Sequence, residues 1–223
     1  MNYLLPLLSV LLGFGAALWL QAKEKKQLKL LLAFSGSFLL SLTILNLLPE
    51  VYEHTVVKHI GIFILLGIIF QIVLEFFSQG AEHGHVHGHG HLTKMPWSLF
   101  ISLCLHALLE GFPIGHHHDL ALGIAVHHFP IAIILTLFFT KAGLSKNTLA
   151  IFMIGFALMT PLGTFLADTI PALSSCYNEI TAIVIGVLLH ISSTIIFESS
   201  EGHKFSIAKI SVIILGVVLA LFL

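Results

Sequence analysis

Apolar residues form long runs along this chain, and short polar stretches separate the runs. A helix needs about 20 predominantly apolar residues to cross a bilayer, and eight windows have that length: about 2–21, 28–49, 58–77, 95–113, 119–140, 147–167, 179–197 and 205–223. The runs lack the alternation of a membrane barrel, which leaves helices as the spanning structure. No lysine precedes the first window and no small-residue cleavage pattern follows it, so we expect a retained helix rather than a signal peptide.

Composition agrees with an all-α membrane protein and excludes other classes. The 223 residues are 57% hydrophobic and 9% charged, whereas a soluble domain carries roughly 25% charged residues. The net charge of −1 argues against a nucleic-acid partner, which requires a basic face. Two cysteines, Cys104 and Cys176, cannot form a disulfide framework. We therefore predict one transmembrane domain over residues 1–223, with the lipid bilayer around it.

All ten cationic residues are lysines, and their positions predict the orientation. With the N-terminus outside, nine of them fall on the cytoplasmic side: Lys23, Lys25, Lys26, Lys29, Lys94, Lys141, Lys146, Lys204 and Lys209. Only Lys58 falls outside. Because cytoplasmic loops carry the excess of cations, we expect both termini to be extracellular or periplasmic. The short loops favour a multi-pass protein of the plasma (inner) membrane.

Histidine is unusually frequent, with 15 residues against ten lysines. Five histidines lie in the predicted cytoplasmic loop at about 78–94: His83, His85, His87, His89 and His91. This loop is rich in glycine, which favours a flexible segment. We expect it to capture metal ions that leave the protein.

The fourth window contains a stripe of polar residues at every fourth position: Ser98, Ser102, His106 and Glu110. A carboxylate near the bilayer centre costs about 2.5–3.5 kcal/mol on insertion scales, so Glu110 is expected to face the protein interior. Gly111 and Pro113 follow it and are expected to break the helix there.

The fifth window contains His127 and His128, followed by Pro130. We expect a second broken helix here, facing the fourth. His106, Glu110 and His127 then form a divalent-metal site, because two nitrogens and one oxygen suit a borderline ion such as Zn²⁺. His128 is either a further ligand or a hydrogen-bonding partner of a neighbouring helix.

Other polar residues leave alternatives open. Asn46 and Glu50 form an outer vestibule or mark a helix end, and Gln71 and Glu75 line an exit or reach towards the inner interface. His190 stands in a four-step stripe with Thr194 and Glu198, which continues the path inward or binds a second ion. The loop at 116–118, all histidine, gathers ions at the entrance or is an ordinary wet loop. Thr160, Pro161 and Gly163 are expected to break the sixth window.

Four motifs in this order resemble the ZIP (Zrt/Irt-like) family of divalent-metal transporters. They are LNLLPE at 45–50, HALLEG at 106–111, HHFP at 127–130 and TPLG at 160–163. The resemblance covers nearly the whole chain and includes eight segments, outside termini and a His-rich loop after the third segment. It implies a 3+2+3 arrangement, with the first and last three helices as an inverted repeat around the fourth and fifth. It also implies His106, Glu110 and His127 as ligands, with His128 beside them.

The chain departs from the family pattern at five positions. Ala107 stands where members usually carry Asn, and Leu109 where they carry Pro. Ile131 and Thr160 each stand where members usually carry Glu, and Asn46 where they often carry His. We therefore expect a single-ion site that is richer in nitrogen and poorer in negative charge than the family's two-metal site. The resemblance implies a transporter rather than an enzyme, with no resident cofactor. The transported ion would be Zn²⁺, or one of Fe²⁺, Mn²⁺, Co²⁺, Ni²⁺ and Cd²⁺, and it would move into the cytoplasm. Whether the protein forms a homodimer is left open.

Three other functions are compatible with parts of the sequence. A di-iron hydroxylase would use HxxxH, which His85 and His89 provide, but no HxxHH follows and the zincin HExxH is absent. A haem-binding redox protein would use His106 and His127 as axial ligands. A metal-binding ZIP relative that no longer transports is the third alternative.

Overall fold

The computed structural model describes residues 2–20, 25–53, 57–78, 95–198 and 206–223, and all regular secondary structure in these ranges is helical. The helices are α1 (Leu4–Leu20), α2 (Lys25–Leu42), α3 (Leu48–Glu53), α4 (Val57–Ser78), α5 (Trp97–Glu110), α6 (His118–Lys141), α7 (Lys146–Thr169), α8 (Pro171–Ser175), α9 (Tyr177–Glu198) and α10 (Ile207–Ala220). A π-helical turn, Thr43–Leu47, joins α2 to α3, and a 3₁₀ turn, Phe112–Gly115, follows α5.

Within these ranges, six helical segments are long and apolar enough to cross a membrane: Gln27–Glu53, Val57–Ser78, Trp97–Gly115, His118–Lys141, Lys146–Thr169 and Tyr177–Phe197. The helical fold is therefore confirmed, and the architecture is compatible with a multi-pass membrane protein. The first and last apolar helices are shorter, at 17 residues for α1 and 14 for α10, so eight spans remain a prediction.

Prolines affect the helices differently from what the sequence predicts. Pro49 cannot donate a backbone hydrogen bond, and the π turn lies just before it, where the N–H of Leu48 bonds to the carbonyl of Thr43. The predicted breaks at Pro130 and Pro161 are wrong, because α6 and α7 continue through both residues. One lost hydrogen bond is tolerated there, since α6 is buried on both sides of Pro130, at Ile124 and Ile131. The predicted break after Glu110 is confirmed.

Glycines bring several helix backbones into contact. A Cβ at Gly13 of α1 would lie 2.6 Å from the carbonyl oxygen of Phe129 on α6. A Cβ at Gly163 of α7 would overlap the carbonyl oxygen of Leu108 on α5. Small residues of this kind allow membrane helices to approach closely, and these contacts fix where the helices cross.

Two pairs of helix contacts correspond when α1, α2 and α4 are exchanged for α7, α9 and α10, and α5 for α6. In this exchange α1 packs on α6 as α7 packs on α5, and α4 packs on α9 as α10 packs on α2. An inverted repeat around two central helices would give this correspondence, but the contacts of α4 with α5 and of α2 with α6 have no equally extensive counterpart.

Two buried apolar clusters fill most of the interior. One contains Leu103 and Ala107 of α5 together with Phe139 and Phe152, and the other contains Ile114, Leu120 and Ile124. The last residues of α5 and the middle of α6 lie where these clusters meet. Polar side chains at that junction are therefore enclosed by apolar residues from both sides.

Candidate metal centre

Four polar side chains meet at the junction of the two apolar clusters, and we call them the polar layer: His106 and Glu110 of α5 with His127 and His128 of α6. Their exposed fractions are 3%, 0%, 1% and 2% in that order. His106, Glu110 and His127 each offer one potential ligand atom, and these three atoms lie within 4.8 Å of one another. The structure thus brings together the side chains that the sequence assigns to the core site.

Each carboxylate oxygen of Glu110 faces one imidazole. Oε1 lies 3.0 Å from Nε2 of His106, one turn earlier on the same helix. Oε2 lies 2.9 Å from Nε2 of His128 on the facing helix. The contact expected of a hydrogen-bonding partner is therefore present, because His128 bonds to a neighbouring helix through the acidic group of the site. Its role as a further ligand stays a prediction. Its ring centroid lies 5.9 Å from that of His127.

The end of α5 is held against α7 by its backbone. A Cβ at Gly111 would overlap the carbonyl oxygen of Thr160, so only glycine fits this approach. Thr164 donates a hydrogen bond from Oγ1 to the carbonyl oxygen of Gly111, at 2.7 Å. Gly111 follows Glu110 directly, so these contacts position the carboxylate. The sequence does not identify Thr164, since nothing in its spacing indicates the partner.

For the Zn²⁺ site that the sequence predicts at the polar layer, replacing Thr164 with valine is expected to weaken binding by roughly tenfold, the equivalent of about 1.4 kcal/mol, since one buried hydrogen bond contributes about that much. Valine keeps the volume but loses the bond to Gly111. Thr169→Val is the matched control, because Thr169 donates only to the local carbonyl of Phe165, at 2.6 Å, and is exposed. Equal affinities of the two variants, measured by calorimetry in detergent, would contradict this positioning role.

The polar stripe on α5 is shorter than predicted. Ser102 is buried at 4% exposure, together with His106 and Glu110, but Ser98 at the start of the helix is exposed. Thr160 and Ile131, which stand where the resemblance to the ZIP family implies carboxylates, are buried at 1% and 2%. Neither residue carries a charge, so the negative charge of the polar layer comes from Glu110.

A second polar group lies near the start of α9. Glu50 of α3 has its Oε2 at 2.8 Å from Nε2 of His117, and that nitrogen is 3.2 Å from the hydroxyl of Tyr177. The three residues lie beside an open pocket of about 420 Å³ that Glu50, His116 and Tyr177 help to line. Asn46 is half-buried in the π turn. Glu50 therefore contacts the 116–118 loop, and Tyr177 joins this contact without a sequence signal.

The remaining members of this loop contact other elements. His116 packs edge-on against Tyr177, with ring centroids 5.1 Å apart. His118 has Nδ1 at 3.1 Å from Oδ1 of Asn2.

The candidate inner residues also meet across helices. Gln71 is fully buried, and Oε2 of Glu75 lies 2.7 Å from Nε2 of His190. The histidines predicted to capture ions, His83, His85, His87, His89 and His91, lie outside the described residues.

In comparisons with known proteins, no protein-family model matches the chain and no curated protein is significantly similar to it. The resemblance to the ZIP family therefore remains a prediction from the motifs.

Proposed function

We propose that this chain is a relative of the ZIP family that transports a divalent metal ion, with Zn²⁺ as the preferred cargo, across a membrane into the cytoplasm. The observation that carries the proposal is the polar layer, in which three imidazoles and one carboxylate are fully buried. Isolated buried charges are very costly, so buried carboxylates are paired or coordinate metals. A path for a dication explains why this cost is sustained between apolar clusters.

The donor set favours Zn²⁺ over harder ions. Zn²⁺ takes four ligands from imidazole nitrogens and carboxylate oxygens, at about 2.0–2.2 Å, whereas Mg²⁺ and Ca²⁺ require mostly oxygen. In our proposal Oε1 of Glu110 joins His106 and His127 on the ion. His128 holds Oε2 and therefore orients the carboxylate.

The path we propose starts at Glu50 and His117 and passes the polar layer. From there the ion moves towards Gln71 and Glu75, and the loop at 83–91 receives it. Both termini lie outside in this scheme, and α1 and α10 complete eight spans of the plasma (inner) membrane.

Uptake by proteoliposomes tests the transport function. The purified chain is reconstituted, Zn²⁺ is added outside, and an internal zinc-sensitive dye reports its arrival. We expect saturable uptake that protein-free vesicles do not show. Uptake at the protein-free rate with intact Zn²⁺ binding would instead support a metal-binding relative that no longer transports.

A haem-binding protein is the competing function that the same histidines allow. His106 and Glu110 are already in direct contact, so a macrocycle would have to displace the carboxylate from its partner. A visible absorption spectrum of the purified protein separates the two functions, since a strong haem band would overturn the transporter proposal. We propose no enzymatic activity.

Deleting residues 83–91 is expected to leave Zn²⁺ affinity at the polar layer unchanged and to slow release into the vesicle. The deletion removes ligands from the path but not from the site. Calorimetry measures the affinity and the dye signal measures release. Complete loss of high-affinity binding in the deletion variant would show that the principal site lies in the loop.

A further inference from the structure

A second pair of metal-ligating side chains lies between α4 and α9, on helices that do not contribute to the polar layer. Oε2 of Glu75 is 2.7 Å from Nε2 of His190, and the side chains are 28% and 20% exposed. Both are therefore largely withdrawn from solvent yet still accessible to a small ion.

The packing of the two helices explains why these side chains meet. A Cβ at Gly67 would overlap the carbonyl oxygen of Ile183, and one at Gly186 would lie 3.0 Å from Cα of Gly67. The backbones are thus in contact at this crossing. On α4, Glu75 lies two turns after Gly67, and on α9, His190 lies one turn after Gly186. Both side chains therefore face the interface on the same side of the point where the two helices cross.

Gln71 is the candidate for a third donor beside this pair. It stands one turn before Glu75, on the same face of α4, and is fully buried. An imidazole, a carboxylate and an amide oxygen together resemble the mixed N/O sets that bind borderline dications. Zinc bonds of about 2.0–2.2 Å require only a small opening of the present contact between His190 and Glu75.

We propose that Glu75 and His190, with Gln71, form a second binding site for a divalent cation such as Zn²⁺ between α4 and α9. The proposal does not depend on transport, because binding here is measurable whether or not the chain moves ions. In this site the ion replaces the proton between the imidazole and the carboxylate and links the two helices.

Equilibrium dialysis of the full chain against radioactive Zn²⁺ tests the proposal. The double variant Glu75→Gln with His190→Gln is expected to bind one ion fewer per chain than the wild type. The control is His59→Gln with Glu179→Gln, which removes a similar contact of 3.2 Å from the other end of the same helices, where the side chains are 49% and 32% exposed. We expect that control to bind as many ions as the wild type. Equal numbers of bound ions in the wild type and the Glu75/His190 variant would overturn the proposal. The contact between Glu75 and His190 would then be only a hydrogen bond between two helices.

A gain-of-signal variant tests the site without removing it. Glu75→Cys places a thiolate donor opposite His190, and Co²⁺ loading is expected to give a sulfur-to-metal absorption band that wild-type protein lacks. Absence of this band in folded Glu75→Cys protein would contradict the proposal. The same loading on the double variant Glu75→Cys with Glu110→Gln separates the two proposals, since the band must persist when the polar layer is disabled.

Discussion

Replacing Glu110 with glutamine is expected to abolish Zn²⁺ uptake by proteoliposomes, to the rate of protein-free vesicles. Glutamine keeps the shape of the side chain but removes the negative charge that His106 and His128 contact at 3.0 and 2.9 Å. Affinity at the polar layer should fall by roughly 100-fold, the equivalent of about 2.8 kcal/mol. His106→Ala should give a comparable loss, because it removes a nitrogen ligand from the same ion.

Thr136→Val is the matched control for Glu110→Gln. Thr136 is also buried, on α6, two turns after His128, and within the described part of the chain its hydroxyl donates only to the local carbonyl of Ala132, at 2.7 Å. We expect this variant to take up Zn²⁺ at the wild-type rate. Wild-type uptake by folded Glu110→Gln or His106→Ala protein would show that the ion does not pass through the polar layer.

Replacing Gly163 with alanine is expected to lower stability strongly, by about 3 kcal/mol, the upper end of the usual cost of overpacking. The new Cβ would overlap the carbonyl oxygen of Leu108, which is backbone and cannot rotate away. Helix α7 would have to move off α5 at a point only two residues before Glu110. Zn²⁺ affinity should therefore fall together with the melting temperature in detergent.

Gly15→Ala is the control for the alanine substitution itself. Gly15 lies in α1, and beyond the local backbone of this helix no atom of the described residues lies within 4 Å of a Cβ built there. Alanine favours a helix over glycine by about 0.8–1.0 kcal/mol, so this variant should be as stable as the wild type or slightly more so. An unchanged melting temperature for Gly163→Ala would mean that α5 and α7 are not in backbone contact.

The sequence predicts the helices and the polar layer well, and the reason is local. Long apolar runs specify spanning helices without knowledge of their neighbours, and Glu110 must face the interior because of its cost in lipid. His106 stands one turn away on the same helix, so the two share a face. His127 and His128 follow on the next helix after a short link, which limits where they can lie.

Contacts between distant helices could not be predicted in this way. The pairing of Glu75 with His190 depends on the crossing at Gly67 and Gly186, and that crossing is set by close packing rather than by spacing along either helix. Tyr177 beside His117 is a further example, since 60 residues separate them. The prolines were misleading because Pro130 and Pro161 are typical helix breakers, yet the packed helices around them continue.

The polar layer has a consequence for the order in which the protein assembles. Glu110 and His128 are separated by 18 positions, whereas Glu75 and His190 are separated by 115. Contacts that are close along the chain close small loops and form early. A nascent chain that has inserted only as far as α6 already contains all four side chains of the polar layer. Under the proposed function an ion is therefore able to bind during synthesis, before α7 arrives to hold the end of α5, whereas the proposed site between α4 and α9 must wait for nearly the whole chain.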